Sequence, residues 1–493
     1  MHSHPEFGGL VRGEASDERL RDFVHPRDWE NPTPKDRYHL VVIGGGTAGL
    51  VSAAIAAGLG ARVALVERAL LGGDCLNVGC VPSKALIHAA RDSAARSPEG
   101  FANAMTRMRR IRAELAVVDS AHRFRELGVD VFLGRGEFVD DNSISVGDAR
   151  LRFRRAIVAT GARASIPPIH GLQELDPLTN ETVFGLTELP SRLAIIGGGP
   201  IGCELAQTFA RFGSAVTLFE SGDRLLSNDD ADAGTIVLDA LRRDGVDVRL
   251  GADIQRATRN ESVRRLQPRD GDALEFDEVL VAAGRAPNVE EMGLERAGID
   301  VDKRGIVVND RLRTTNARVF GVGDVASRYQ FTHAADALAR LAVPNALFFG
   351  IGGGKASNLV MPWCTYTSPE VAHVGLTETE ASKRSDVDSL LVTLEHNDRA
   401  RLESADNGYL RLHLERGSDR ILGATLVAEG AGDMIGEIAV AITNGMKLGS
   451  IGRTIHPYPT TASIFARAAD LRRRDKLTPL ARRMFHTFFS FIR

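Results

Sequence analysis

Apolar residues along this chain gather into short runs that glycine turns interrupt. The stretch "YHLVVIGGGTAGLVSAAIAAGLGARVALVER" opens on an apolar run ending at Ile43 and turns between Gly44 and Gly49. It continues through small residues to Gly60 and closes on a second apolar run. That order reads strand, turn, helix, strand. Residues 192–220, "RLAIIGGGPIGCELAQTFARFGSAVTLFE", repeat it. Two units of one shape are an internal duplication, and the duplication sets the architecture. "RAIVATGARAS" (155–165) and "EVLVAAGRAPN" (278–288) add a short strand and turn behind each unit, and "ARVFGVGDVAS" (317–327) reads as a strand ending in Gly-Asp. From about Met361 the texture changes to alternating strands, "YLRLHLER" and "ILGATLVAE", and a helix, "AGDMIGEIAVAITNGMKLG". That is the pattern of a separate α+β domain. Residues 1–37, polar and proline-containing, read as an extension packed on the surface or partly disordered. The tail "LRRRDKLTPLARRMFHTFFSFIR" is basic and aromatic. A membrane-surface helix is conceivable there, but Pro479 interrupts it, and a helix packed on its own domain is the favoured expectation.

The glycine turns carry the first chemistry. Gly44-x-Gly46-x-x-Gly49 follows a strand, opens a helix, and has Glu67 at the end of the next strand. The first glycine permits the tight turn, and the second lets backbone approach a pyrophosphate. The third lets helix pack on strand, while the helix N-terminus attracts the anion. Gly197-x-Gly199-x-x-Gly202 repeats the arrangement, with Glu220 closing its second strand. A carboxylate there accepts hydrogen bonds from a ribose hydroxyl and repels a 2′-phosphate, so NADH is expected over NADPH at the second site. Arg224, four residues on, works against that preference.

Bulk properties narrow the field. A chain of 493 residues exceeds one ordinary core and implies two to four domains. A formal net charge of -3 predicts no pull toward nucleic acid. Four cysteines are too few for a secreted disulfide scaffold. The first forty residues lack the apolar core of a secretory signal, and no uncharged apolar run reaches the roughly 20 residues of a membrane span. The expected compartment is the cytoplasm.

"LLGGDCLNVGCVPSK" (70–84) then poses a choice for Cys75 and Cys80. A zinc site usually takes four ligands, often from paired C-x-x-C units, and this chain has neither that spacing nor a second pair. A structural disulfide closing so short a loop stabilises little. A redox couple fits better. Cys80 leads into "VPSKALIHAARDSAAR", an expected helix whose positive end favours a thiolate, and Lys84 adds charge one turn on. Cys203 and Cys364 read as small buried hydrophobes without a catalytic role.

"GGDCLNVGCVPSK" resembles the active-site signature of the class I pyridine nucleotide-disulfide oxidoreductases. That family includes dihydrolipoamide dehydrogenase, glutathione reductase and the core of mercuric reductase. The likeness runs from Tyr38 to about Ala469 and takes in "VVIGGGTAGL", "VATGA", "IIGGGPIGCE", "AAGRAPN" and "GVGDVA", in family order. It implies an α/β fold with two Rossmann-like dinucleotide-binding domains and a C-terminal α+β dimerisation domain. Residues 1–37 precede an FAD-binding domain at 38–161 that resumes at 285–360. An NAD(P)-binding domain at 162–284 is inserted between its parts. The dimerisation domain spans 361–470, and the basic tail 471–493. By the resemblance, FAD lies on Gly44, Gly46 and Gly49 with Glu67 at its ribose. Thr160 and Gly161 close that site, and Gly323 and Asp324 stand at the ribityl-phosphate portion. Lys84 sits by the flavin ring and pairs with Glu204. NADH takes Gly197, Gly199, Gly202, Glu220 and Gly284, with Arg285 beside them in the motif. Cys80 faces the flavin, and Cys75 exchanges with the substrate. No resident metal is expected.

The chain also departs from the family. Its thiol-disulfide members carry a C-terminal His-Pro-Thr-x-x-Glu whose histidine acts as base in the partner subunit. Here "IHPYPTTASIF" puts Tyr458 at the base position and Ser463 where the glutamate belongs, with His456 two residues upstream. Tyrosine, with an unperturbed pKa near 10, is a poor base but a good donor or metal-side ligand. In this respect the chain resembles mercuric reductase, but efficient handling of Hg(II) is not expected, since no cysteine lies between Cys364 and Arg493 and residues 1–37 do not read as a metal-binding domain. His456 is either a substitute base or a structural histidine. Asp74 stands where many relatives have threonine. The expectation is an FAD-containing, NADH-linked homodimer with shared sites, acting on a small-molecule disulfide, thiol or related acceptor. The alternatives are reduction of mercuric or another soft metal ion, and a low-turnover redox-sensing or partner-binding flavoprotein.

Overall fold

The computed structural model describes residues 9–260, 263–348 and 351–492. The expected strand-turn-helix-strand units form as read. In the first, the strand Tyr38–Ile43 lies between Val63–Glu67 and Ala149–Val158, parallel to both, with Leu40 opposite Val63 and Val41 opposite Ala156. Val129–Leu133 extends the sheet beyond Val63–Glu67, and Val319–Gly321 returns some 160 residues later to pair with Ala149–Val158. These strands are apolar on both faces because both are covered. Leu40, Val42 and Leu65 meet the helices Thr47–Gly58 and Thr332–Leu347. Val41, Ile43 and Val66 meet Phe138, Ile144 and Leu151 of neighbouring strands and Met292 and Leu294 of the segment beyond. The helix Thr47–Gly58, rich in small residues, packs closely on one face. In the second unit Arg192–Ile196 lies between Ala215–Phe219 and Glu278–Val281, all parallel. The architecture is the mixed α/β one expected, with the flavin-type half split in sequence by the second unit.

The chain divides into two compact units. One runs up to Ser221 and resumes over Asp244–Leu359; the other joins Gly222–Arg243 to the region from Val360 onward. The segment Gly222–Arg243, read from sequence within the nucleotide domain, groups with the second unit through side chains. Arg411 pairs with Asp230 at 3.0 Å and Asp232 at 2.6 Å, and Trp363 Nε1 donates to Asp229 Oδ1 at 2.7 Å. The second unit is the expected α+β domain. Five antiparallel strands run in the spatial order Pro362–Thr365, Glu370–Gly375, Ile421–Ala428, Tyr409–Glu415, Val387–Thr393. The helix Ala431–Thr443 buries Ile435 and Ile438 in the same core as Leu410, Leu412 and Leu426.

Both ends differ from expectation. Residues 15–24 form a helix whose Leu20 and Val24 are fully buried in the first unit's core. Its Asp17 bonds Arg112 at 2.5 Å inside the protein, with Arg109 at 3.7 Å. Trp29 Nε1 then donates to Val131 O at 3.2 Å, tying the stretch along the sheet edge. Residues 1–8 of the expected extension lie outside the described residues. The helix Ala15–Val24 is part of the core and not a surface extension. It escaped a composition-based reading because two arginines nearly a hundred residues away neutralise its buried acid. At the other end, the helix Pro479–Phe491 buries none of its side chains. It does not pack on its own domain. Pro479 occupies the helix's first turn, capped by Thr478, where its missing N–H costs nothing, so it starts this helix instead of breaking one.

Candidate active site

Two glycine turns of the same form carry the nucleotide-type geometry. A Cβ on Gly49 would lie 1.8 Å from Gly44 O, and one on Gly202 would lie 1.9 Å from Gly197 O. Only glycine lets each helix approach its strand this closely. Gly46 and Gly199 cap their helices without a side-chain acceptor, leaving first-turn N–H groups to an outside anion. Each acid at the end of the second strand bonds the turn: Gly45 N–H donates to Glu67 Oε2 at 2.5 Å, and Gly198 N–H to Glu220 Oε2 at 2.6 Å. Burial holds Glu67 above the usual carboxylate range. The first turn thus fits the pyrophosphate and ribose of FAD, and the second those of a nicotinamide nucleotide. Thr160 and Gly161 are locked to the segment after Gly284: Thr160 Oγ1 donates to Asn288 O at 2.8 Å, and Asn288 N–H donates to Gly161 O at 3.0 Å.

Cys75 lies in the short helix Gly73–Asn77, and Cys80 is the first residue of the helix Cys80–Ala89. The two thiols are hydrogen-bonded to each other, and Cys80 Sγ also meets Thr332 Oγ1 at 3.3 Å. The pair polarises in opposite directions. Cys80 is lowered to about 6, first by the hydrogen bond from Cys75, then by Thr332 and by the charge of Lys84, against the cost of burial. Cys75 is raised by the same bond and by burial. The expected thiolate is therefore at Cys80, but its neighbour thiol does more to hold it than Lys84. Lys84 Nζ bonds Glu204 Oε2 at 2.8 Å, with Glu204 buried in the first turns of Pro200–Phe212. Their pairing, implied only by resemblance, is present.

The structure also places what sequence reading left open. Arg285 Nη2 reaches Asp74, Ala162 O at 2.7 Å and Asp324 Oδ2 at 3.3 Å. Arg285 is thus tied to Asp324 and to the residue preceding Cys75, at the joint between Ala162–Ala164 and Arg285–Pro287. Asp324, adjoining Gly323, is pushed up to about 6 by burial, with Arg285 opposing and the charges of Asp74 and Cys80 adding to the rise. Thr332 was missed entirely. It opens the helix Thr332–Leu347, far along the chain, and nothing in its local sequence marks it as a thiol partner.

Tyr458 and His456 belong to the second unit and differ in exposure. Tyr458 is 78% exposed, and its hydroxyl donates to Asp398 Oδ2 at 2.8 Å, which makes the phenol harder to ionise. The His456 side chain is only 8% exposed, with Nε2 at 3.1 Å from Glu437 Oε1. Glu437, on Ala431–Thr443, is a histidine partner that the family spacing did not indicate. Cys203 is fully buried with Sγ donating to Gly198 O at 3.3 Å, and Cys364 lies on the strand Pro362–Thr365.

Two dinucleotide turns feeding a polarised dithiol define a two-cofactor disulfide oxidoreductase. Comparison with known proteins agrees. Residues 38–339 match the pattern described as pyridine nucleotide-disulphide oxidoreductase, and 361–469 match that family's dimerisation domain. The chain belongs to this family, and is an FAD-dependent pyridine nucleotide-disulfide oxidoreductase. It is 34% identical to a mercuric reductase of Lysinibacillus sphaericus over 447 residues, covering 87% of this chain and 81% of that one. It is 32% identical to a glutathione reductase of Burkholderia cepacia, covering 87% and 97%. Among solved structures it resembles the HOCl-induced flavoprotein disulfide reductase RclA from Escherichia coli, with TM-score 0.80 and 29% identity over 88% of this chain and 100% of that one. No described helix is long and apolar enough to cross a membrane.

Proposed function

We propose that this protein takes electrons from NADH and delivers them through the Cys75–Cys80 pair to a small-molecule disulfide. The observation that carries this reading is the polarised pair itself, a lowered thiol at Cys80 hydrogen-bonded to a raised thiol at Cys75. When bound, FAD supplies the hydride acceptor and the two-electron link to the sulfurs. Lys84, held by Glu204, keeps a positive charge beside Cys80. The reduced pair then shares one proton. The Cys75 sulfur attacks one sulfur of the substrate, forming a mixed disulfide, and the shared proton goes to the departing substrate thiolate. The Cys80 thiolate attacks Cys75, closes the Cys75–Cys80 disulfide and expels the second substrate thiolate. Two electrons leave the pair and two enter the substrate.

The expelled thiolate takes its proton from solvent, and Tyr458 is the hydrogen-bond donor we assign to it. Its exposed hydroxyl suits a homodimer in which Tyr458 of one subunit completes the site of the other. His456, enclosed and bound to Glu437, is read as structural. The NADH preference rests on Glu220. The Arg224 guanidinium, which could oppose it, donates to the carbonyls of Asp229 at 2.9 Å and Ser227 at 2.6 Å. A dithiol that turns over accords with a cytoplasmic setting.

A second reading is reduction of a soft metal ion held by the two thiolates, mercuric ion first. Tyr458 favours it by offering a phenol oxygen where other family members carry a base. Purified protein mixed with NADH and then with lipoamide, glutathione disulfide or Hg(II) tests both. Turnover with a disulfide, lost in Cys80→Ser, supports the first reading. Turnover with Hg(II) alone selects the second. Rapid flavin reduction excludes the low-turnover alternative, and absence of flavin reduction by NADH overturns the proposal.

A further inference from the structure

The helix Pro479–Phe491 takes no part in the redox site described above. With 3.6 residues per turn, Leu480, Met484 and Phe488 share one face of the helix, and Phe485 and Phe489 lie beside them. Arg482, Arg483, His486 and Ser490 occupy the opposite side. No acidic residue occurs between 477 and 493. The apolar side is bare: Leu480 is 68% exposed, Met484 65% and Phe488 56%. Arg474, Arg482 and Arg483 enter no ion pair among the described residues. From 471 to 493 the chain carries seven lysines and arginines against one acid, although the whole protein is net -3.

We propose that this helix lies on an anionic lipid surface, with its aromatic side in the acyl boundary and its arginines on the phosphates. Two observations select this occupant. Charge is complementary to anionic headgroups, whereas a second copy of the helix brings the same cations and no acids to answer them. The face is also small for a protein partner. Thirteen residues make a helix about 20 Å long, and one side of it offers on the order of 400 Å², half of the roughly 800 Å² per partner in a stable interface. The dimerisation-domain match ends at residue 469, before this helix begins. A basic amphipathic helix with Phe and Leu opposite Arg is the form that binds membranes in plane, about 5–10 Å deep. The proposal is independent of the electron acceptor.

The test is co-sedimentation of the full-length, flavin-loaded protein with vesicles of phosphatidylcholine alone or with about 30% phosphatidylglycerol. Binding is expected only to the anionic vesicles, weakening about tenfold between low and physiological salt as screening grows. Phe485→Glu with Phe488→Glu, and separately Arg482→Glu with Arg483→Glu, should each abolish binding. Flavin content and melting temperature should stay unchanged, because no side chain of the helix is buried. The proposal fails if anionic vesicles do not bind the protein, or if the double-phenylalanine variant binds as well as the parent. It fails equally if the parent self-associates through these phenylalanines while ignoring lipid.

Discussion

Replacing Cys75 by alanine should undo the acidity of Cys80. In the reduced protein Cys80 sits at about 6, and the largest contribution is the hydrogen bond from Cys75. Thr332 at 3.3 Å and the Lys84 charge contribute less. With a midpoint near 6, about nine-tenths of Cys80 is thiolate at pH 7. Without Cys75 the midpoint should climb to about 8, toward the ordinary thiol value near 8.5, leaving about a tenth ionised at pH 7. The rate of alkylation at a single pH is a poor readout. A more basic thiolate is more nucleophilic, with a Brønsted slope of about 0.4–0.5, so a gain of about tenfold offsets much of the lost ionisation. The pH midpoint of iodoacetamide reaction separates the two effects. It should be measured on reduced protein in a Cys364→Ser background, since Cys203 is fully buried. Thr332→Ala should raise the midpoint by a smaller amount than Cys75→Ala. The reasoning is refuted if Cys75→Ala keeps a midpoint near 6, for the helix terminus and Lys84 would then suffice, or if the parent itself titrates above 8.

Other outcomes follow from single contacts. Cys75→Ser should keep the long-wavelength flavin–thiolate absorbance of the reduced protein and Cys80→Ser should lose it, as recorded by anaerobic titration; the reverse pattern exchanges their roles. Asp17→Ala leaves Arg112, whose side chain is fully enclosed, without its charge partner. It should cost about 3–5 kcal/mol, read as a lowered urea midpoint, and a loss under about 1 kcal/mol contradicts the pairing. Asp229, enclosed and pushed up to about 6, is disfavoured when ionised, so it binds its proton more tightly folded than unfolded. Stability should therefore fall as pH rises from about 4 through 6. Asp229→Asn, which can still accept from Trp363, should exceed the parent by about 2–3 kcal/mol at pH 8 and converge with it near pH 4; denaturant melts at both pH values decide this.

What could be read from the residues and what could not divide along a physical line. The glycine turns were legible because the constraint is local: a Cβ at Gly49 or Gly202 collides with backbone five residues earlier, so spacing alone reports the geometry. The cysteine pair was legible for the same reason, since four intervening residues and one helix start determine how Cys75 and Cys80 meet. Partners chosen by tertiary packing left no such trace. Asp74 finds Arg285 across 211 residues, Cys80 finds Thr332 across 252, and Asp17 finds Arg112 across 95. Lys84 and Glu204 were paired beforehand only through likeness to a family. On its own, Glu204 reads as an ordinary acid early in a helix.

Those unread contacts bear directly on the redox couple. Asp74 precedes Cys75, and its ion pair with Arg285, which also meets Asp324, fastens the cysteine loop to the segments that carry those residues. Where many relatives have a neutral threonine, this chain places a carboxylate that Arg285 answers. The carboxylate that disfavours the Cys75 thiolate is Asp119, behind the hydrogen bond to Cys80 and burial, and the single negative charge of the reduced pair stays on Cys80. Asp74→Thr should thus free Arg285 and lower the Asp324 midpoint while Cys80 remains the easier sulfur to ionise. Alkylation mapped by mass spectrometry should then stay on Cys80. Labelling that moves to Cys75 means that the Asp74 carboxylate, and not the hydrogen bond between the two sulfurs, orders them.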